Sequence, residues 1–156
     1  MSKALWPLLV RFFKFGVVGG SGVVVNLGLY ALLTRACGLF DTLFERGLSY
    51  AVSVEISIIT NFLLNDAWTF ADRRESVLWR HRFLRFHLVS AVGFGVNWGV
   101  FTGLNWLMLE GSLSFLGDVT VAGKTFNVDD MLAACVGIVA ATMWNFFGNL
   151  LWTWRK

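Results

Sequence analysis

Three stretches of this 156-residue chain, 15–34, 86–109 and 131–154, contain no Asp, Glu, Lys or Arg, and a fourth, 47–65, contains one acid, Glu55. Roughly 20 apolar residues in helical form cover the hydrocarbon core of a bilayer. In lipid, only helices or closed barrels satisfy every backbone N–H and C=O. The pattern therefore predicts an all-α membrane protein with four transmembrane helices. Fifteen Phe, eight Trp and a mean hydropathy of +0.64 exceed what a soluble core of this length uses, so much apolar surface must face something other than water. The first helix follows Lys3, Arg11 and Lys14, as a secretory signal does, but its apolar stretch is too long for one and it is expected to stay in the membrane.

Cations set the expected orientation. The amino terminus, the 71–85 loop and the carboxy terminus together hold Lys3, Arg11, Lys14, Arg73, Arg74, Arg80, Arg82, Arg85, Arg155 and Lys156, ten of the 13 Lys and Arg. The opposite side keeps Arg35, Arg46 and Lys124. The positive-inside rule puts both termini in the cytoplasm, and the location expected is the inner (cytoplasmic) membrane, multi-pass. A pI near 9.2 reads here as contact with anionic head groups rather than with nucleic acid, which is not an expected partner. Trp6, Trp68, Trp79, Trp152 and Trp154 fall at or beyond the same ends, the position of an interfacial aromatic belt. Cys37 and Cys135 lie toward the other side, and are read as small hydrophobes or as a disulfide pair.

The chain repeats itself. "RFFKFGVVGGSGVVVNLGLYALL" at 11–33 aligns without gaps on "RFLRFHLVSAVGFGVNWGVFTGL" at 82–104, and "NFLLNDAWTF" at 61–70 returns as "NFFGNLLWTW" at 145–154. Repeat 1 covers about 11–70 and repeat 2 about 82–154 of one transmembrane domain, 1–156. Each repeat holds two helices, so both enter from the same side and the repeat is parallel. The second half's extra residues fall in 110–130, where "DVTVAGKTF" is read as a hairpin, an interfacial lid or a plain connector. Small residues recur at four-residue spacing, as in Gly95, Gly99 and Gly103, and allow close helix packing or association into a homo-oligomer.

Polar residues inside the spans are the candidate functional groups. Asn26 and Asn97 lie roughly 21 Å from the basic ends of helices 1 and 3 at 1.5 Å per residue, with Glu55 expected near their depth and facing the interior. Asn61 and Asn145 sit nearer the basic side, with Asn65 and Asn149 one turn beyond. Such asparagines serve either as hydrogen-bonding glue between helices or as a polar path. Glu55 breaks the repeat, because its counterpart is Val139, and an ionisable residue in the membrane marks a functional position. No phosphate-binding loop, metal-ligand spacing or nucleophile constellation is visible, and the Asp129–Asp130 doublet reads as the cap of helix 4. No metal, cofactor or enzymatic activity is expected.

With "RFFKFGVVGGSGVVVNLGLY", "NFLLNDAWTF", "RFLRFHLVSAVGFGVN" and "WNFFGNLLWTW" in sequence, the chain resembles the GtrA-like family of small membrane proteins. A cation commonly follows the second Asn of N-F-x-x-N-x-x-W-T-F in that family, and Asp66 stands there instead. The resemblance implies four transmembrane helices and the moving, or help in moving, of polyprenyl-phosphate-linked sugars to the outer leaflet for cell-surface glycan assembly. It also implies a polyprenyl-phosphate glycosyltransferase as a separate partner. On this reading Arg11, Lys14, Arg82 and Arg85 collect the phosphate of the lipid-linked sugar, while the asparagines and Glu55 line a lipid-open groove or a site shared between protomers. Two other readings remain: a small proton-coupled cation or drug transporter built on Glu55, and a non-transporting membrane partner of a glycosyltransferase.

Overall fold

A computed structural model describes residues 5–36, 42–110, 117–121 and 123–155. Four long helices account for most of them: α1 (Leu5–Ala31), α2 (Leu43–Leu64), α3 (Trp79–Glu110) and α4 (Val128–Gly148). With their π-helical extensions, Leu5–Arg35, Leu43–Thr69 and Val128–Thr153 are each long and apolar enough to cross a membrane, and only 17–22% of their most apolar windows is buried within the chain. α3 is 32 residues long, but Asn97, Asn105, Trp98 and Trp106 dilute its hydropathy. The protein is a helical, multi-pass membrane protein, and among the described residues one small element is not helical.

That element is a hairpin, β1 (Asp118–Val121) paired antiparallel with β2 (Lys124–Asn127), with Val119 opposite Phe126. Gly117 just before it and Gly123 in its turn have φ of 61° and 75°, where a side chain would be strained. The hairpin feeds directly into α4, whose cap is Asn127 rather than the acidic doublet: its side chain accepts from the Asp130 N–H at 2.9 Å. Asp129 and Asp130 instead occupy the first turn, where the helix dipole favours negative charge. α2 begins in a capping box, in which Thr42 Oγ1 accepts from Glu45 N–H and the Glu45 carboxylate accepts from Thr42 N–H.

The described residues form two units, one of residues up to Phe86 together with Thr153–Lys156, the other His87–Trp152. In the first, Phe15, Val18 and Gly22 of α1 are buried, as are Ser49, Ser53, Ser57 and Phe62 of α2. Along α3 and α4 the buried apolar positions include Phe86, Val89, Gly93, Ala133, Gly137, Ala141 and Phe146. They are the repeat counterparts, 71 or 84 positions on, so the sequence repeat is also a packing repeat. Cys37 lies outside the described residues, while Cys135 is an exposed free cysteine on α4 rather than a buried hydrophobe.

Candidate functional site

The asparagines build helix crossings. In the first unit, Ser53 Oγ donates to Asn26 Oδ1 at 2.7 Å and Ser57 Oγ to the Gly22 carbonyl at 2.7 Å. Gly22 abuts the Asn61 amide so closely that a Cβ would overlap it. In the second unit the same device recurs: a Cβ on Gly93 would stand 2.5 Å from Asn145 Oδ1, and one on Gly137 2.5 Å from Asn97 Oδ1. Asn26 thus joins α1 to α2 through a hydrogen bond, whereas Asn61, Asn97 and Asn145 pack against glycines at the crossings, with Oδ1 of Asn61 and of Asn145 buried and without a hydrogen-bond partner.

The second asparagine of each motif ends a helix. Asn65 Nδ2 donates to the Asn61 carbonyl at 2.9 Å, and Asn149 Nδ2 to the Asn145 carbonyl at 2.8 Å. Beyond them the backbone widens into π turns, Asn65–Thr69 and Asn149–Thr153, with Phe70 N–H returning to the Asn65 carbonyl. Asn65 and Asn149 are 2% and 0% exposed, so the groove-lining role expected of them gives way to a structural one.

These π turns deliver an aromatic stack. Phe70 and Trp154, equivalent positions of the two repeats, lie face to face with centroids 4.4 Å apart and planes 7° from parallel. Phe62 stacks on Trp154 at 5.9 Å and Phe86 meets its edge. Trp154 is fully buried, which corrects its assignment to the aromatic belt; Trp6, Trp68, Trp79 and Trp152 are 43–62% exposed, as a belt requires. The indole N–H donates to Asp66 Oδ1 at 2.9 Å.

Asp66 thus anchors the carboxy-terminal segment, and it also holds Arg82. Arg82 Nε and Nη2 donate to the two carboxylate oxygens at 2.7 and 3.1 Å, and Nη1 donates to the Arg74 and Val77 carbonyls. With its donors engaged and 5% of its surface exposed, Arg82 is a framework residue and not the open phosphate collector expected from sequence. The turn Ala71–Ser76 is fastened to the same segment through Arg73 to the Trp154 carbonyl and Ser76 to the Arg155 carbonyl. Burial, then the neighbouring Arg11, push the Arg73 pKa down, with Asp72 opposing them.

Arg11 is placed differently. Its Nη2 bridges both oxygens of Asp72 at 2.8 Å and its Nε donates to the Thr69 carbonyl at 3.3 Å, leaving its side chain 18% exposed. Lys14 lies one turn along, its ammonium 5.2 Å from the Trp68 ring centroid. Together with Trp6, Pro7, Val10, Thr69 and Ala71 they line an open cleft of about 400 Å³. Arg85 sits half-buried on α3.

Glu55 does not face the α1 interface. Ser53 and Ser57 lie two positions to either side and take that face, which at 3.6 residues per turn turns Glu55 to the far side of α2, where it is exposed. In the second unit a smaller open groove, about 220 Å³, is lined by Asn97 among apolar side chains including Phe94, Trp98 and Ile138.

Comparison with known proteins gives the family. The family model described as "GtrA/DPMS, transmembrane domain" matches residues 14–154. The chain belongs to this family. A curated relative from Pyrococcus furiosus, named dolichol-phosphate mannosyltransferase, is 32% identical over 144 residues, covering 92% of this chain but 34% of the relative. The chain therefore spans about a third of that relative's length. Family membership makes this GtrA/DPMS domain a membrane protein related to polyprenyl-phosphate sugars, and the matched span runs from Lys14 in the cleft to Trp154 in the stack.

Sequence alone did not point to Asp66, Phe70 and Trp154 as one cluster, or to Thr69 and Trp68 as cleft residues. The signals were present: an acid where a cation is usual, and two aromatics at equivalent repeat positions.

Proposed function

We propose that the chain moves a polyprenyl-phosphate-linked monosaccharide from the cytoplasmic to the outer leaflet, for glycan assembly at the cell surface, and does not itself transfer sugar. The observation that carries this reading is the cleft at the basic end of α1. There an ammonium over an indole, beside a guanidinium, opens among Trp6, Pro7 and Val10, a mixture suited to a phosphate on an isoprenoid. The isoprenoid tail stays in lipid throughout, whereas the head group's hydroxyls and phosphodiester need partners while crossing. This reading assigns Glu55, on the exposed side of α2, to such hydroxyls.

Purified protein in liposomes tests the reading directly, with a short-chain polyprenyl-phosphate mannose on one face and its arrival on the other measured over time. A rate no greater than that of empty liposomes would sink it. Glu55→Gln is expected to stay folded while reducing the rate several-fold, and an unchanged rate at matched protein levels removes Glu55 from the mechanism.

A second reading draws on the relative's length. A mannosyltransferase three times longer than the matched region is consistent with a domain that seats a glycosyltransferase on the membrane. Co-purification with a transferase but no lipid movement would select it.

The proposed orientation puts both termini and the 71–76 turn in the cytoplasm, with four helices spanning. In a chain whose native cysteines are replaced, cysteines at Ser76 and Thr120 should label from opposite sides of sealed vesicles. Labelling from the same side rejects the four-span arrangement.

A further inference from the structure

The two repeats are alike in their crossings and unlike at their basic ends. Arg11 and Arg82 are equivalent, and each has a carboxylate, yet both carboxylates come from the first half: Asp72 for Arg11, Asp66 for Arg82. Leu150 stands where a second Asp66 would be. Arg82 is saturated and buried, while Arg11 shares its carboxylate with solvent, since Asp72's side chain is 50% exposed. Lys14 makes no ion pair among the described residues, and its ammonium lies over the Trp68 ring. At the edge of the same cleft Thr69 is 4% exposed, and its hydroxyl has no hydrogen-bond partner. A buried unpaired hydroxyl is unfavourable by itself, and it fits a site completed by an acceptor from outside the chain.

We infer that the chain binds one lipid phosphate, on the first repeat's side only, with the Lys14 ammonium and the Thr69 hydroxyl as ligands. Asp66 closes the equivalent position of the second repeat by taking up Arg82. The inference rests on the lipid-linked sugar reading and narrows it to one entry site. Arg11 and Lys14 give two positive charges against the one negative charge of Asp72, so the cleft is cationic before a ligand arrives. A phosphate accepts from an ammonium and a hydroxyl at once, with charge-assisted bonds to the first. Trp6 and Trp68, 62% and 46% exposed, offer flat apolar faces to the first isoprene units. A lone inorganic anion would leave those faces unused.

The test uses the full chain in detergent with farnesyl phosphate as probe, its stoichiometry read by native mass spectrometry and its affinity by calorimetry. One farnesyl phosphate per chain is expected, with farnesol and inorganic phosphate each binding at least about tenfold more weakly. Lys14→Gln is expected to weaken farnesyl phosphate about tenfold and Thr69→Val about threefold, with Lys14→Arg retaining most of the affinity. Arg80→Gln removes an exposed cation outside the cleft and is expected to change affinity little. Unfolding temperature is followed for each variant, so that a folding defect is not read as lost binding.

Two equivalents per chain would overturn the one-sided assignment while leaving the lipid reading intact. Inorganic phosphate binding as tightly as farnesyl phosphate would show an anion site without lipid specificity. Undiminished binding in Lys14→Gln would put the phosphate elsewhere. A chain that moves the mannose lipid in liposomes yet fails to bind farnesyl phosphate loses this inference alone; one that does neither loses the proposed function as well.

Discussion

Arg82→Gln should destabilise the protein by about 3–5 kcal/mol, the usual loss when one partner of a buried ion pair is removed and the other charge is left without compensation. Asp66 is 7% exposed, and Arg82 supplies two of its hydrogen bonds while Trp154 supplies a third. Arg82 also donates to the Arg74 and Val77 carbonyls, so its loss frees acceptors in the connection to α3. Replacing both members with apolar residues of similar size, as in Asp66→Leu with Arg82→Met, should be much milder than Arg82→Gln, because no charge remains buried. Thermal unfolding in detergent measures both. A single variant no less stable than Arg80→Gln, whose side chain is exposed, would contradict the assignment. Trp154→Ala acts on the same cluster by another route: it removes the ring stacked on Phe70 and Phe62 and should cost about 3–5 kcal/mol.

The second large effect lies at the helix crossings. Gly22→Val and Gly137→Val should each destabilise by about 1–3 kcal/mol or more, because a side chain there meets an asparagine already in contact. The two positions should respond differently to rescue. The three atoms nearest a Cβ on Gly22 all belong to the Asn61 side chain, so Gly22→Ala combined with Asn61→Ala should recover most of the loss. A Cβ on Gly137 also stands 3.0 Å from the Asn97 backbone carbonyl, which no side-chain replacement removes, so Asn97→Ala should rescue Gly137→Ala only in part. Equal rescue at both sites, measured as unfolding temperatures of the single and double variants, would contradict this account. Gly95, Gly99 and Gly103, by contrast, have open space around them, so alanine there should be tolerated within the single chain.

Periodicity and charge made the broad architecture legible. Long stretches with at most one charged residue favour helices, since in lipid the backbone has no other partner, and all four such stretches are helical. The gapless repeat was equally informative: equal spacing of Phe15, Val18 and Gly22 against Phe86, Val89 and Gly93 puts the same side chains on the same helix face. The alternation in "DVTVAGKTF" allowed a hairpin among other forms, and the structure has one, with a glycine at its turn. Family membership rested on the same motifs, since the matched span contains both copies of N-F-x-x-N.

Which polar residues face one another was decided by tertiary structure. A sequence places Glu55 at a depth, but its direction depends on which face of α2 meets α1, and the small hydroxyls of Ser53 and Ser57, each donating to α1, took that face. It places Trp154 at a helix end, where indoles ordinarily sit in the interface; only the approach of Phe70 and Asp66, 84 and 88 positions away, makes it a buried core residue. Arg82 and Arg11 look alike in the repeat, and a single carboxylate at Asp66 separates them, binding one tightly and leaving the other at an open cleft. The physical reason is range: helix formation in lipid is settled by the local balance of apolar surface and backbone hydrogen bonding, whereas a buried ion pair or stack requires groups from distant segments to meet at contact distance, which local pattern does not encode.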